Sequence, residues 1–305
     1  MNEIIADPIP VFEKPWYTLE LTATGVGIDA RLNDIYVDQD AYGGHSTTEF
    51  EVGTSIIDGL NEIKIIIYPF FNGDDQTLDY HKESEVKATL YVREKDNRDG
   101  KKYVVGHIHI NPNQPLEKIA AGSAVIPGVP EPVVDVTSKP LKFPGRDYNK
   151  QIVVTRKTLP VKSPYPRWAW QDGQVIEYTK ENFKAILMEY KKIYDAYAQR
   201  DMNTLYTIHA ARARENAIAY YLGDNIEAGH KFMSTGQILK DSGAHLAELN
   251  IDAKKLDIYA NGRMARVVDL EQYHPVLFFD PEKELVHIMK FGFYKNKTGQ
   301  WVLIR

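Results

Sequence analysis

The chain has 305 residues, 43% of them apolar, enough for two domains that each bury a core. It has no cysteine, which excludes disulfides, thiol catalysis and thiolate metal sites; with no run of 18 apolar residues and no basic-then-apolar start, it predicts a soluble, cytoplasmic protein, or a periplasmic one if a leader has been removed. The net charge of -5 is uneven: residues 1–136 carry 11 Lys/Arg against 23 Asp/Glu, 137–175 carry 8 against 2 and 176–305 carry 18 against 17, so the first part repels nucleic acid and suits a partner with a basic surface.

From Trp16 to about Val136 apolar residues alternate with polar ones between Gly- and Asp-rich turns, as in Tyr17–Ala23, Glu62–Tyr68 and Val86–Val92. This pattern predicts short antiparallel strands, with Asp96–Gly100 as a hairpin turn in which glycine supplies a positive φ. Arg31-Leu32-Asn33-Asp34-Ile35-Tyr36-Val37, followed by Thr48–Val52 and Ile56–Ile65 with its Gly59-Leu60-Asn61-Glu62-Ile63 corner, resembles the jelly-roll accessory domains of bacterial glycosidases. That resemblance covers about 40 residues and implies a β-sandwich over residues 1–136.

Ten of the 16 prolines fall between Pro112 and Pro166, so residues 137–175 are expected to be a basic linker, with an edge strand at Gln151–Arg156. Trp168 and Trp170 are too aromatic to be left in water and are expected to clamp the domains together. The third part, 176–305, opens with Thr179 as an N-cap and an apolar stripe Phe183, Ile186, Leu187, Tyr190, Ile193, Tyr194 and Tyr197 at helical spacing. Asp201 caps a second helix that Gly223 ends, and a glycine-broken third helical stretch spans 225–249. Strands at 255–260 and 263–268 flank an Asn261-Gly262 turn, and Pro275–Phe279, Glu284–Tyr294 and Gln300–Arg305 complete a meander.

Three helices followed by this meander, closing in Phe291-Gly292-Phe293-Tyr294-Lys295-Asn296-Lys297-Thr298-Gly299-Gln300-Trp301-Val302-Leu303-Ile304, resemble the NTF2-like (SnoaL-like, cystatin-like) superfamily. The resemblance implies helices packed on a curved antiparallel sheet. The expected architecture is thus a two-domain chain: an all-β sandwich, a proline-rich linker and an α+β NTF2-like cone.

Several residue sets could carry chemistry. Asp38–Glu49 places acids at positions 1, 3 and 12 and Gly at 6 of a calcium-loop template, but Tyr42 and His45 depart from it, and a polar strand-connecting loop explains it as well. His107 and His109, two apart on a strand, share a face as metal-binding pairs do; solvent-facing histidines opposite Ile108 and Ile110 are the ordinary alternative. In the cone, alternation along Leu285, His287, Met289, Phe291 and Phe293 puts His287 among apolar groups, so His287 or Asp257 could serve as base and Tyr190 or Tyr194 as an oxyanion donor. Arg212, Arg214 and Glu215 suit a solvated, salt-bridged helix face.

No phosphate loop, Gly-x-Ser-x-Gly elbow, His-Glu-x-x-His or paired-cysteine motif occurs. The expectation is a non-catalytic protein-binding or inhibitory protein with no cofactor and no membrane insertion. In its most concrete form it is a bacterial immunity protein, a toxin inhibitor, contacting its target through Asp38, Asp40, Glu49, Asp74 and Asp75. The alternatives are an NTF2-like isomerase, dehydratase or hydrolase using the cone, and a carbohydrate-binding envelope protein presenting Trp16, Tyr36 and Tyr42.

Overall fold

The computed structural model describes residues 8–40, 44–71, 78–97, 99–115, 117–119, 133–135, 141–143, 146–148, 151–223, 225–241, 243–249, 251, 254–269 and 274–305. The chain divides into two compact units, Met1–Arg167 and Trp168–Arg305. Among the described residues the fold is mostly antiparallel sheet with few helices, and no helix is long and apolar enough to cross a membrane.

The first unit holds β1 (Pro15–Thr24), β2 (Gly27–Leu32), β3 (Ile35–Asp40), β4 (His45–Glu51), β5 (Gly59–Tyr68), β6 (Glu85–Glu94), β7 (Tyr103–Ile110), β8 (Val133–Asp135) and β9 (Ile152–Val161). They form one sheet in the order β4-β1-β6-β7 and another in the order β8-β9-β5-β2-β3, with two short ribbons besides. Period-two burial builds the core: Leu19, Leu21, Ala23, Ile63, Ile65, Ile67, Val86, Ala88 and Leu90 are all buried, and most of their neighbours in sequence turn outward. β7 packs on β9, where the buried Arg156 donates from Nη1 to the His107 carbonyl at 2.9 Å.

The residues behind the jelly-roll resemblance do a structural job. Asn33 sits in the two-residue β2–β3 turn at φ 54° with Asp34 at 61°, a conformation asparagine and aspartate tolerate. Its side chain donates to the Ser55 carbonyl and to Asn61 Oδ1, both at 2.7 Å, and accepts from the Glu62 N–H at 3.0 Å. Asn61, wholly buried, in turn accepts from the Ile57 N–H. The "Asn … Gly-x-Asn" pattern is therefore a buried hydrogen-bond staple between turns.

Two local expectations for this unit change. Ile152–Val161 is not an edge strand: β9 runs between β8 and β5, and Pro160, which cannot donate to the ladder, sits where its register slips. The 95–102 connection does join β6 and β7 as a hairpin, but Gly100 is not among the positive-φ glycines.

The second unit begins with α1 (Lys180–Ala198), α2 (Met202–Ala219) and α3 (Ile226–Phe232). Thr179 caps α1 by accepting from the Asn182 N–H, and Asp201 caps α2 by accepting from Asn203 and Thr204. On α1 the predicted stripe faces inward: Ile186, Tyr190, Ile193 and Tyr197 are buried, with Phe183, Leu187 and Tyr194 packed against them. The third helical stretch is shorter than expected, α3 giving way to a 3-10 turn at Gln237–Lys240 and then to a strand. Gly229 on α3 lies so close to α2 that a Cβ there would sit 2.0 Å from the Ala213 carbonyl oxygen.

The strands are β10 (His245–Leu246), β11 (Lys255–Tyr259), β12 (Met264–Val268), β13 (Leu277–Asp280), β14 (Leu285–Ile288), β15 (Phe293–Lys295) and β16 (Trp301–Leu303). They fall into two sheets, β10-β13-β14 and β11-β12-β15-β16. The stretch 284–294 is therefore not one strand. It leaves the first of these sheets after Ile288 and enters the second at Phe293, which is why Leu285 is exposed whereas Phe291 and Phe293 are buried. The β11–β12 connection also differs from the expected two-residue turn: Tyr259 pairs with Met264, and Ala260, Asn261 and Gly262 all take positive φ in a four-residue loop.

Candidate functional site

The inner face of α1 and the sheet β11-β12-β15-β16 enclose a buried polar group. Tyr190, fully buried, reaches the point where the β12–β15 ladder runs out. Only Met264 and Ala265 of β12 pair with β15, and the Val267 N–H, 3.2 Å from the Tyr190 hydroxyl, donates to it instead. The hydroxyl also lies 3.0 Å from the Phe291 carbonyl, to which it donates, and 3.1 Å from His274 Nδ1. Tyr190 thus substitutes for a missing rung of sheet. Burial holds its phenol protonated far above the usual range.

His274 is 1% exposed, and among the described residues its Nε2 has no partner. Burial, followed by the charges of Arg266, Lys290 and Lys254, pushes its pKa well below the ordinary histidine value, so the ring is neutral. Sequence reasoning missed this residue, because a histidine before Pro275, between two expected strands, belongs to no periodic pattern. Asp257 is taken up by Arg266, its cross-strand partner, whose Nε donates to Oδ2 at 2.7 Å. Tyr194 is half-buried against the core.

His287 lies apart from these groups. With Gln237, Ile238, Lys240, Val286 and Met289 it lines an open cavity of about 720 Å³ beside β14, and its Nε2 is buried with no partner among the described residues. The cavity joins His287 to neither Asp257 nor Tyr190, and Tyr190's hydroxyl is occupied by backbone. The base and donor named from sequence are not assembled into one site.

In the first unit, His107 and His109 do not both face solvent as the ordinary alternative supposed. His107 is buried, with Nδ1 2.8 Å from Thr89 Oγ1; burial, then the charges of His109, Arg156 and Lys87, bring its imidazole down to about 4. His109 is half-buried, its Nε2 2.6 Å from Glu85 Oε1. Among the described residues no group of three His, Asp or Glu is placed to hold a metal ion.

No protein family, curated protein or solved structure matches the chain. The site must be judged on its own geometry.

Of the acids expected to contact a partner, Asp38 and Asp40 lie on β3 and Glu49 on β4. The side chain of Asp40 and the residues Asp74 and Asp75 lie outside the described residues, as does Tyr42. β3 and β4 are the edge strands of the two sheets and follow one another in the chain. Glu49 accepts from Lys102 at 2.8 Å; burial raises its carboxyl, but the bond to Lys102 and the charges of Lys102 and Arg93 outweigh it and leave the pKa lowered. Of the aromatics proposed for sugar stacking, Trp16 is buried and Tyr36 lies under the Arg31 guanidinium at 4.1 Å.

Proposed function

We propose that this is a non-catalytic binding protein whose first unit engages a basic protein surface through its acidic edge. The supporting observation is the acidic character of β3 and β4, the edge strands of the two sheets. Asp38 and Asp40 stand on the terminal strand β3, and Glu49 and Glu51 follow on β4. Placement matters more than the total here. Residues 1–167 carry 19 Lys/Arg against 24 Asp/Glu, a milder balance than the first 136 residues suggest, because the basic residues of the proline-rich stretch belong to the same unit. Charged edges also discourage strand addition, so the partner we infer docks on side chains and not on the backbone.

The most concrete form of this proposal is an immunity protein that occludes a toxin. The finer fold assignment belongs with it: the facing sheets of the first unit as a jelly-roll-like sandwich, and the two sheets of the second as the halves of one NTF2-like cone. The enzyme alternative draws less support, because Tyr190 is bound to Val267 and Phe291 and Asp257 to Arg266.

The test is capture from lysate of the native organism by the wild-type chain and by an Asp38→Asn, Asp40→Asn, Glu49→Gln variant at low and moderate salt. The expected result is one stoichiometric partner, released as salt rises and weakened in the variant. Equal capture by both proteins sinks the acidic-edge proposal.

A further inference from the structure

A second cluster of polar groups, on the inner face of α2, joins a buried histidine to a half-buried arginine. His209 and Arg212 are one turn apart on this helix. His209 is 4% exposed, packs edge-on against Phe291 at 5.8 Å, and among the described residues finds no hydrogen-bond partner for either ring nitrogen. Arg212 faces inward with it, keeping partial contact with solvent. Among the described residues its guanidinium has no hydrogen bond and no ion pair. The expected salt-bridged helix face is absent here: Glu215 is buried and its Oε2 pairs with Arg305 Nη1 at 2.6 Å, so the neighbouring cation is compensated and Arg212 is not.

Aromatic groups close the surroundings. Tyr197 of α1 is 2% exposed, edge-on to Phe278 at 5.3 Å, and close enough to Arg212 for the cation to act on its phenol; Tyr259 of β11 and Tyr220 lie in the same field. Desolvation brings the guanidinium down to about 10, with Arg305 adding to the effect, and burial with the charges of Arg212 and His230 brings His209 down to about 3. The imidazole is therefore neutral at physiological pH, and the cluster carries one uncompensated positive charge. A half-buried charge without an ion pair, beside a buried imidazole without hydrogen bonds, gains stability when a counter-ion arrives.

We propose that Arg212, His209 and Tyr197 form a binding site for the carboxylate of a small organic acid. One guanidinium matches one negative charge, and its planar fork matches the two oxygens of a carboxylate. Neutral His209 offers one N–H donor and one acceptor, and the Tyr197 hydroxyl a further donor. Phe278 and Phe291 suit an apolar remainder of the ligand. A phosphate dianion would leave a second charge uncompensated in the same desolvated place. This site lies wholly in the second unit and does not depend on the acidic edge proposed for the first.

The probes are acetate and benzoate, with benzamide as the uncharged isostere of benzoate, titrated into the full chain at constant ionic strength and followed by calorimetry. The expected result is saturable binding of at least one acid and none of benzamide. In Arg212→Gln that binding weakens roughly 10- to 100-fold, the loss of a charge-assisted contact, while Arg214→Gln, an exposed neighbour, leaves it unchanged. Arg212→Gln also removes a half-buried charge that has no ion pair, so without ligand its Tm should equal or exceed that of the wild type. Absence of binding by both acids, equal binding of benzamide, or full retention in Arg212→Gln overturns the proposal. If Arg212→Gln does not fold, the benzoate and benzamide arms on the wild type decide.

Discussion

One side chain, Tyr190, satisfies two buried backbone groups at once. Its hydroxyl accepts from the Val267 N–H and donates to the Phe291 carbonyl where no strand does so. Tyr190→Phe keeps the ring contacts with Phe291 and Phe293 but strands two buried backbone groups, so we expect a loss of about 2–4 kcal/mol by urea denaturation. A loss below about 0.5 kcal/mol would mean that the backbone finds other partners. His107 sets a pH dependence. Its pKa lies near 4 in the folded chain against the ordinary 6.5, so between these values the unfolded chain takes up a proton that the folded one refuses. Its contribution to stability is complete above pH 6.5 and declines as pH falls toward 4. Between about pH 7 and pH 5 the wild type should lose about 2 kcal/mol more than His107→Gln, whose amide can still meet Thr89. Identical pH profiles would show that the folded ring accepts the proton.

At the scale of elements, what was legible in the sequence is what local chemistry decides. Thr179 and Asp201 cap their helices because a side-chain oxygen there can meet free N–H groups, and the Ile186–Tyr197 stripe is buried because its spacing follows the helical period. What was missed depends on neighbours distant in the chain. Leu285, His287, Met289, Phe291 and Phe293 alternate as one strand would, yet the chain changes sheets between Ile288 and Phe293, and alternation alone cannot reveal a transfer. Arg212 and Glu215 have the spacing of a surface ion pair, but Arg305, 90 residues after Glu215, takes the carboxylate. Gly229 shows the same dependence: nothing local requires glycine in α3, whereas the Ala213 carbonyl oxygen, 2.0 Å from where a Cβ would stand, leaves no room for any side chain. Gly229→Ala should therefore force α3 off α2 and cost about 1–3 kcal/mol or more, although alanine is the better helix former. A Tm equal to or above that of the wild type would show that the helix shifts freely.

The whole chain was legible as two bodies of different character, since a period-two region gives way to helical spacing. The place of the proline-rich stretch was less so, because β9 is recognisable as an inner strand only once β5 and β8 stand on either side of it. The second unit has its own capped helices, its own core from Ile176 to Leu303 and a buried polar network whose members all lie within Trp168–Arg305. A body of this kind has what independent folding requires: a core large enough to offset chain entropy and backbone groups satisfied from within. Residues 168–305 alone should therefore give a helical circular-dichroism spectrum and a single cooperative melt, whereas residues 1–167 should give a β-type spectrum. If 168–305 instead remains unfolded while the full chain melts cooperatively, its core cannot by itself offset the entropy of ordering its chain, and the division into two self-supporting bodies fails.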